Sequence, residues 1–474
     1  MLLVEPKISI QRISSSPEEA FIRLFQTGNI QSTYDTEIAG TGIMGIDRLG
    51  ASTFDAQKHF HFDVIQRKCS TGTYRFSPYV EVLKSKGRTS FPRVISIPTV
   101  RDRIVLYLLK ELLHEVFSDC VNRSLPNARI EEINNFIQAN DISKLSFIKL
   151  DIKAFYDSIN HSVLIKKLQE RIDSKIIIRL IRTAIESPTV PTGYRKSQTG
   201  RRCNNQGVPQ GLAISNILAD IYLHEFDNKV RKDVLLYHRY VDDVFSIINT
   251  DCAESEKENI ISELGLLHLK LNEEKCKTTF GDKEFEYLGY QFFLPKISVR
   301  QSTIDRFINS IAARFTAYRK GTSAFHREHP KVSPEVRREV FVEDLNEKIT
   351  GALSEKRRYG WVFFFLQIND VELLHKLDFI IRSFFSRLDD FKNSPPNTLK
   401  SLAKSYYEAH FSVRSGYIHD YSKYTTVQEK INFLARRGVL DPDTPYKQVD
   451  VDRMFETVKR QHLTNLEIDV GTIS

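Results

Sequence analysis

Tyr240-Val241-Asp242-Asp243 sets two adjacent carboxylates at the join of two apolar runs, Leu235-Leu236-Tyr237 and Val244-Phe245-Ser246-Ile247-Ile248. The flanks predict paired strands, and a two-residue polar join between them predicts a tight hairpin turn. Side by side in a turn, the carboxylates repel each other, pack against nothing and favour a cation. Hard oxygen ligands suit Mg²⁺, with Mn²⁺ as its substitute, usually held by one or two carboxylates plus substrate phosphates. Taken alone, Asp-Asp in a hairpin reads as an ordinary solvated turn. A third carboxylate changes that reading. Ser146-Phe147-Ile148-Lys149-Leu150-Asp151-Ile152 predicts another apolar strand with Asp151 at its end. Phosphoryl transfer with two metals requires ions roughly 3.5–4 Å apart, clamping attacking and leaving oxygens. Three carboxylates on adjacent strands of one sheet could hold such a pair.

The elements that must position these residues are also legible. Ser158-Ile159-Asn160-His161-Ser162 offers cap residues ahead of a helical pattern at Val163-Leu164 and Lys167-Leu168. Gln206-Gly207-Val208-Pro209-Gln210-Gly211-Leu212-Ala213-Ile214-Ser215-Asn216 lies between the two carboxylate sites. Its glycines allow close approach of backbone to a ligand, or mark a plain loop-to-helix junction. The segment after Pro209 is predicted helical, with Leu212, Ile217, Leu218, Ile221 and Tyr222 buried. Thr189 through Cys203 reads as a long polar loop or hairpin. Upstream, Thr99-Val100-Arg101-Asp102 has capping-box character and precedes an apolar face of Val105, Leu108, Leu109, Leu112 and Val116. Arg101 and Arg103 in that first turn oppose the helix dipole, so an anion beside them would be favourable. Residues 1–55 read as an N-terminal extension with a helix start at Ser14-Ser15-Ser16-Pro17. Beyond about residue 300 the chain is predicted helical, with a face of Ile304, Phe307, Ile308, Ile311, Ala312 and Phe315, a break at Pro395-Pro396 and a restart at Leu399, Leu402 and Ala403.

The chain has 474 residues, 41% of them hydrophobic, enough for two or three domains with full cores. Lys plus Arg exceed Asp plus Glu by 68 to 60, giving +8. From Arg300 to Glu339 nine basic residues face four acidic ones, either a solvated helical face or a surface that tracks phosphates. Five scattered cysteines (69, 120, 203, 252, 276) fit neither a disulfide framework nor a zinc module and suit a reducing cytoplasm. His59, His61 and Cys69 lack a fourth ligand and read as packing residues. The N-terminus is charged too early for a signal peptide, and no apolar run approaches the ~20 residues of a membrane span. A soluble protein is expected, with no membrane partner.

In order and content these motifs resemble the reverse transcriptase family of polymerases. Asp151-Ile152-Lys153-Ala154-Phe155-Tyr156 is similar to motif A, Gly207-Val208-Pro209-Gln210-Gly211 to motif B and Tyr240-Val241-Asp242-Asp243 to motif C. Leu271-Asn272-Glu273-Glu274-Lys275 resembles motif D, Phe285-Glu286-Tyr287-Leu288-Gly289-Tyr290 the primer-grip motif E, and Arg93 through Ile104 the fingers segment. The resemblance covers about residues 60 to 300. It implies an α+β right-hand polymerase, with fingers and palm over 56–300, a helical thumb-like region over 301–390 and a helical extension over 391–474. It implies RNA-directed DNA synthesis from dNTPs on a primer 3′ hydroxyl, with an RNA template and a DNA product. Asp151, Asp242 and Asp243, with the Ile152 carbonyl, would hold Mg²⁺. Lys275 would donate a proton to departing pyrophosphate, or is simply solvated. Arg93, Arg101 or Arg103 would meet the triphosphate. Tyr156 would lie under the sugar and exclude a 2′ hydroxyl, and Gln210 would touch the nascent pair. Tyr240, Tyr287, Leu288 and Gly289 would contact the primer end, and Arg314, Arg319 and Lys320 the nucleic-acid backbone. The helix Gly211–Ala219 is similar to bacterial abortive-infection and defence-associated members, which implies an anti-phage role with a non-coding RNA. An accessory protein or homo-oligomer is a possible partner. Untemplated or protein-templated synthesis, a retron or mobile-element enzyme, and a non-catalytic RNA-binding scaffold are the alternatives.

Overall fold

The computed structural model describes residues 16–39, 41–85, 91–121, 125–194, 203–281, 283–355, 357–468 and 470. Part of the expected polar loop, residues 195–202, lies outside them, as do residues 1–15. The architecture is α+β. Strands β1 (Tyr79–Lys84), β2 (Arg93–Ile97) and β4 (Thr189–Val190) form a small fingers sheet in the order β2-β1-β4. The palm sheet is antiparallel, in the order β5-β6-β3-β7, from β3 (Leu145–Asp151), β5 (Leu236–Tyr240), β6 (Asp243–Asn249) and β7 (Lys277–Phe280). Strands β8 (Phe285–Tyr287), β9 (Tyr290–Phe293) and β10 (Lys296–Val299) form a third sheet beside it.

Strand periodicity explains why the palm sheet is central. Alternate side chains point to opposite faces. In β3, Ile148 and Leu150 enter a core shared with the fingers, while Leu145 and Phe147 enter a second core shared with the thumb. In β6, Val244 and Ile248 take the first side, and Phe245 and Ile247 the second. A sheet covered on both faces needs near-continuous apolar runs, as these two strands have.

The residues before 55 are not an appendage. Ser16 caps the helix Pro17–Leu24 with a full capping box, and Ala20, Phe21, Phe25, Ile30 and Tyr34 pack into the fingers core with the helix Val100–Val116. The helix after motif B begins at Ser215 and runs to Asp233, later than expected, because Gly211 at φ 98° turns the chain first.

Beyond the third sheet come the helices Gln301–Glu328, Pro334–Thr350, Val371–Ser383 and Leu402–Phe411. Between them sits a small sheet in the order β12-β11-β13, made of β11 (Ala352–Ser354), β12 (Arg357–Tyr359) and β13 (His419–Asp420). The expected boundary at 391 falls inside one core, since Leu399, Leu402, Ala403, Ala409 and Ile418 pack with Phe307, Trp361 and Phe385. The true change of core comes near Tyr421. From there Phe433, Leu434, Val451, Phe455 and Leu466 pack around the helices Val427–Arg436 and Gln448–Ile468. Among the described residues no helix is long and apolar enough to cross a membrane.

Candidate active site

The register of the palm sheet sets Asp151 directly opposite Asp243, and Tyr240 opposite the same Asp243 on the other side. Directly opposed residues have Cβ atoms about 4.5–5.5 Å apart. The turn is therefore Val241-Asp242, with Val241 in the left-handed region at φ 56°. This corrects the expectation that both aspartates sit loosely in the turn: Asp243 belongs to the ladder and is 6% exposed, and Asp151 is 4% exposed. The Ile152 N–H donates to the Asp242 carbonyl at 3.0 Å, and the Asn272 N–H to the Asp151 carbonyl at 2.8 Å. These bonds tie motifs A, C and D to one another through backbone alone.

Three carboxylates so placed are poorly compensated. Burial, then Asp243 and Asp151, push the Asp242 carboxyl up to about 6. Burial also raises Asp243, against which Lys149 acts from 4.0 Å. One Asp242 oxygen, Oδ1, is buried and has no hydrogen-bond partner. Lys275, from the short turn Glu273–Lys275, places Nζ 3.0 Å from Asp151 Oδ2. It is neither a purely solvated lysine nor held ready elsewhere, but a counter-ion of motif A. A repelling all-oxygen donor set with an orphaned oxygen fits a hard divalent cation, Mg²⁺ or Mn²⁺.

Motif B closes the site from above. Val208 N–H donates to the Tyr156 carbonyl at 2.8 Å, Gly207 N–H to the Ile159 carbonyl at 2.9 Å, and Ser96 N–H to the Gln210 carbonyl at 2.7 Å. Gly207 (φ 83°) has no room for a side chain, since a Cβ would sit 3.0 Å from the Asp157 backbone. At Gly211 (φ 98°) a Cβ would lie 2.7 Å from Ile95 Cγ2. The close approach that these glycines permit is thus to the protein's own chain. Tyr156 is half-buried and donates its hydroxyl to Asn216 Oδ1 at 2.8 Å, while its neighbour Phe155 is the core member of the pair.

Of the three fingers arginines, Arg93 at the start of β2 is the one whose charge lowers the pKa of Asp242. Arg101 is committed instead to His61 Nδ1, 2.9 Å away, and Arg103 donates to Thr41 Oγ1 at 3.1 Å. Arg103 also lines a cavity of about 200 Å³ with Gly211 and Ala213. His61 stacks on Phe54, and Cys69 is fully buried, so both serve packing. In motif E, Tyr287 and Leu288 are core side chains, which corrects their expected contact with a primer; only the backbone of the turn they share with Gly289 remains for that task. Arg314 leans on the Asp344 carbonyl at 3.4 Å rather than facing solvent, while Arg319 and Lys320 are exposed. Much of the basic run is spent internally: Lys331 pairs with Asp441 and Asp443, and Arg337 lies over the Phe325 ring.

One positioning residue escaped the sequence reading. Arg239 is buried under the Val241-Asp242 turn and donates from Nη1 to the Val241 carbonyl at 2.9 Å. Asp227 holds it through Nε and Nη2, and Asp220 lies 3.1 Å from Nη2, both on the helix Ser215–Asp233. The signal was there: Arg239 alternates with Tyr237 on the inward face of β5, and an inward arginine needs buried carboxylates.

Residues 83–292 match the family model described as reverse transcriptase (RNA-dependent DNA polymerase). Residues 83–292 thus carry a reverse transcriptase domain. It is similar to Protein YkfC of Escherichia coli (strain K12), 24% identical over 299 residues, 53% of this chain and 76% of that one. It is also similar to the group II intron-encoded protein LtrA of Lactococcus lactis subsp. cremoris, 28% identical over 163 residues, 34% of this chain but 26% of LtrA. The chain thus spans about a quarter of LtrA's length. Telomerase from Candida albicans, solved with a fragment of telomeric RNA, superposes with a TM-score of 0.42 at 12% identity, over 88% of this chain and 67% of that one. The matched reverse transcriptase segment contains all three aspartates, motif B and Gly289. It ends before Arg314, Arg319 and Lys320. The match and these similar proteins support an RNA-directed DNA polymerase, and the matched segment carries Asp151, Asp242 and Asp243.

Proposed function

We propose that this protein extends a primer 3′ hydroxyl with dNTPs along an RNA template, in the cytoplasm, using Mg²⁺ or Mn²⁺ held by Asp151, Asp242 and Asp243. The observation that carries this reading is the opposed pair Asp151 and Asp243 beside the orphaned Asp242 oxygen. Two bound cations would lower the pKa of the attacking hydroxyl and neutralise the leaving pyrophosphate. The protein's own work is positional. Arg239 fixes the turn that carries Asp242, and Lys275 balances Asp151 until substrate arrives. Arg93 supplies positive charge on the phosphate side, and Tyr156, held by Asn216, presents its ring where a sugar would lie. Primer extension with the Asp242→Ala/Asp243→Ala double variant tests this reading; wild-type synthesis by that variant overturns it.

The biological setting we propose is bacterial anti-phage defence with a non-coding RNA. It is supported by the distinct third core after Tyr421, which adds helical surface that palm chemistry does not require. Broad helical surfaces suit structured RNA, which is read largely by shape. Expression with native flanking DNA in a phage-sensitive host tests it. Unchanged plating over a broad phage panel, with no co-purifying RNA, returns the chain to the mobile-element setting of its intron-encoded relatives.

A further inference from the structure

A cavity of about 690 Å³ opens beside the catalytic turn and shares Tyr240 with it. Its other walls include Arg357, Arg358 and Tyr359 of β12, Phe364, and Glu467 of the last helix. Tyr240 is the ladder partner of Asp243, and the Arg129 guanidinium lies 5.5 Å over its ring. The cavity therefore begins where the carboxylates end.

The two arginines are presented by a strand that is anchored at its base. The β11–β12 hairpin is pinched at its base by Gly351 (φ 71°) and Gly360 (φ 111°). A Cβ on Gly351 would lie 2.4 Å from the Tyr359 carbonyl, and one on Gly360 2.8 Å from Gly351 Cα. Trp361, next in sequence, is buried. The far wall is tied to the primer-grip sheet, for Tyr290 donates its hydroxyl to the Phe364 carbonyl. Yet the side chains of Arg357 and Arg358 are exposed and, among the described residues, form no ion pair or hydrogen bond; Arg358 only overhangs the Phe363 ring at 5.8 Å. Two exposed guanidinium groups without an ion pair, beside aromatic rings, match a nucleic-acid strand, phosphates to the first and bases to the second. Glu467 is the one anion among the lining residues. Burial raises its carboxyl against the pull of Arg357, and its charge is felt at Tyr240.

We propose that Arg357 and Arg358 clamp phosphates of the primer strand just behind its 3′ end, with Glu467 as the anion that a bound phosphate must outcompete. This rests on the polymerase reading above and adds to it a contact outside the matched segment. A strand ending at the carboxylates has to leave across a neighbouring surface, and this one is adjacent and basic.

Primer extension on a DNA primer annealed to an RNA template tests the clamp. In the Arg357→Gln/Arg358→Gln variant the KM for primer–template rises by about tenfold or more, as for lost charge-assisted hydrogen bonds, while kcat and the dNTP KM hold. The salt dependence of hybrid binding flattens by about two units, near 0.9 for each lost phosphate contact. Glu467→Gln, which keeps the size of the side chain and removes its charge, tightens primer binding. A neutral methylphosphonate at the contacted primer position reproduces the loss in wild type and adds nothing in the variant. If wild type extends no primer, the polymerase reading fails. If wild type extends normally and the clamp variant matches it, if the loss falls on the dNTP KM, or if Glu467→Gln leaves primer binding unchanged, the clamp alone is overturned.

Discussion

Two clusters of carboxylates, one in the palm and one where the thumb meets the last helices, differ in how their charge is met. At the junction of the thumb with the last helices, Glu347 is 4% exposed, accepts the Tyr421 hydroxyl at 2.9 Å and lies 3.0 Å from His462 Nδ1. Its neighbour Asp344 takes the Arg437 guanidinium at 2.8 Å. Burial alone would raise the Glu347 carboxyl, but His462 and Tyr421 together hold it below its ordinary value. Ligand atoms of Asp344, Glu347 and His462 lie within 4.8 Å of one another, a spacing a metal could use, yet their lone pairs are already engaged. In the palm the balance is reversed, with raised carboxyls and an oxygen that nothing meets. A buried charge is costly unless paired. Where the chain supplies every partner, the cluster holds elements together. Where it withholds one, a partner from outside is expected, and the raised carboxyls mark a candidate functional site.

That contrast is broken most directly by Asp242→Asn. Synthesis should fall by roughly 10³-fold or more, as expected for removing transition-state charge stabilisation. The metal-free fold should gain on the order of 1 kcal/mol, because a repelling charge is gone. Primer extension and chemical denaturation of one preparation measure both. Glu347→Ala should do the opposite, costing roughly 3–5 kcal/mol of stability by leaving a half-empty buried pair while sparing kcat at permissive temperature.

The pH dependence of the two clusters should also have opposite signs. With its folded value raised to about 6, Asp242 penalises the folded state above that pH, and the penalty lifts as pH falls through 6 towards the unfolded value. Activity, which needs the carboxylate, should fall by about tenfold per unit below pH 6, and more Mg²⁺ should push that limb lower. Glu347, held below its ordinary value, contributes stability above the usual carboxylate range and loses it as pH falls through its folded value. Denaturation of wild type and the two variants between pH 4 and 7 separates these terms. If Asp242→Asn does not flatten the activity limb, another group sets it.

Smaller effects sharpen the picture around the palm. Trimming Tyr156 to Val should raise ribonucleotide incorporation relative to dNTPs by roughly tenfold, in the range that one steric contact supplies. An unchanged ratio returns Tyr156 to a packing role. Charge reversal at Arg319 and Lys320 should flatten the salt dependence of hybrid binding by about two units at most. Arg314 is left out of that pair, since its guanidinium is engaged by Asp344. An unaltered slope means that this helical face is merely solvated.

The palm was legible because its strands are buried on both faces and so are written as unbroken apolar runs. Asp151 could be placed at a strand end from Ser146–Leu150 alone. Asp243 could not be assigned to the ladder, since a one-residue change in turn length leaves the pattern of the run intact. The Arg239 cluster was invisible because Asp220 and Asp227 look, in sequence, like the polar face of a surface helix; only the sheet beneath turns them inward. The hairpin Ala352–Tyr359 was missed because three-residue strands carry no measurable period. The boundary at 391 was misplaced because Pro395-Pro396 interrupts a helix without interrupting the core it packs on. Arg101 and Arg103 share a first helical turn, and only their tertiary partners, His61 and Thr41, set them apart from Arg93 of β2.

The loop between Gly207 and Gly211 behaves as a tie rod. One end is fastened to the Tyr156 carbonyl through Val208, the other to Ser96 of β2 through Gln210. Between them Pro209 has a fixed φ, and the flanking glycines have no free volume in which to take up slack. A displacement of β2, which carries Arg93, is therefore passed along the rod to the backbone of Tyr156. With Arg93 at the phosphates and Tyr156 at the sugar, as proposed, the two ends of one nucleotide would be gauged by a single mechanical unit, and a misfit at either end would be felt at both.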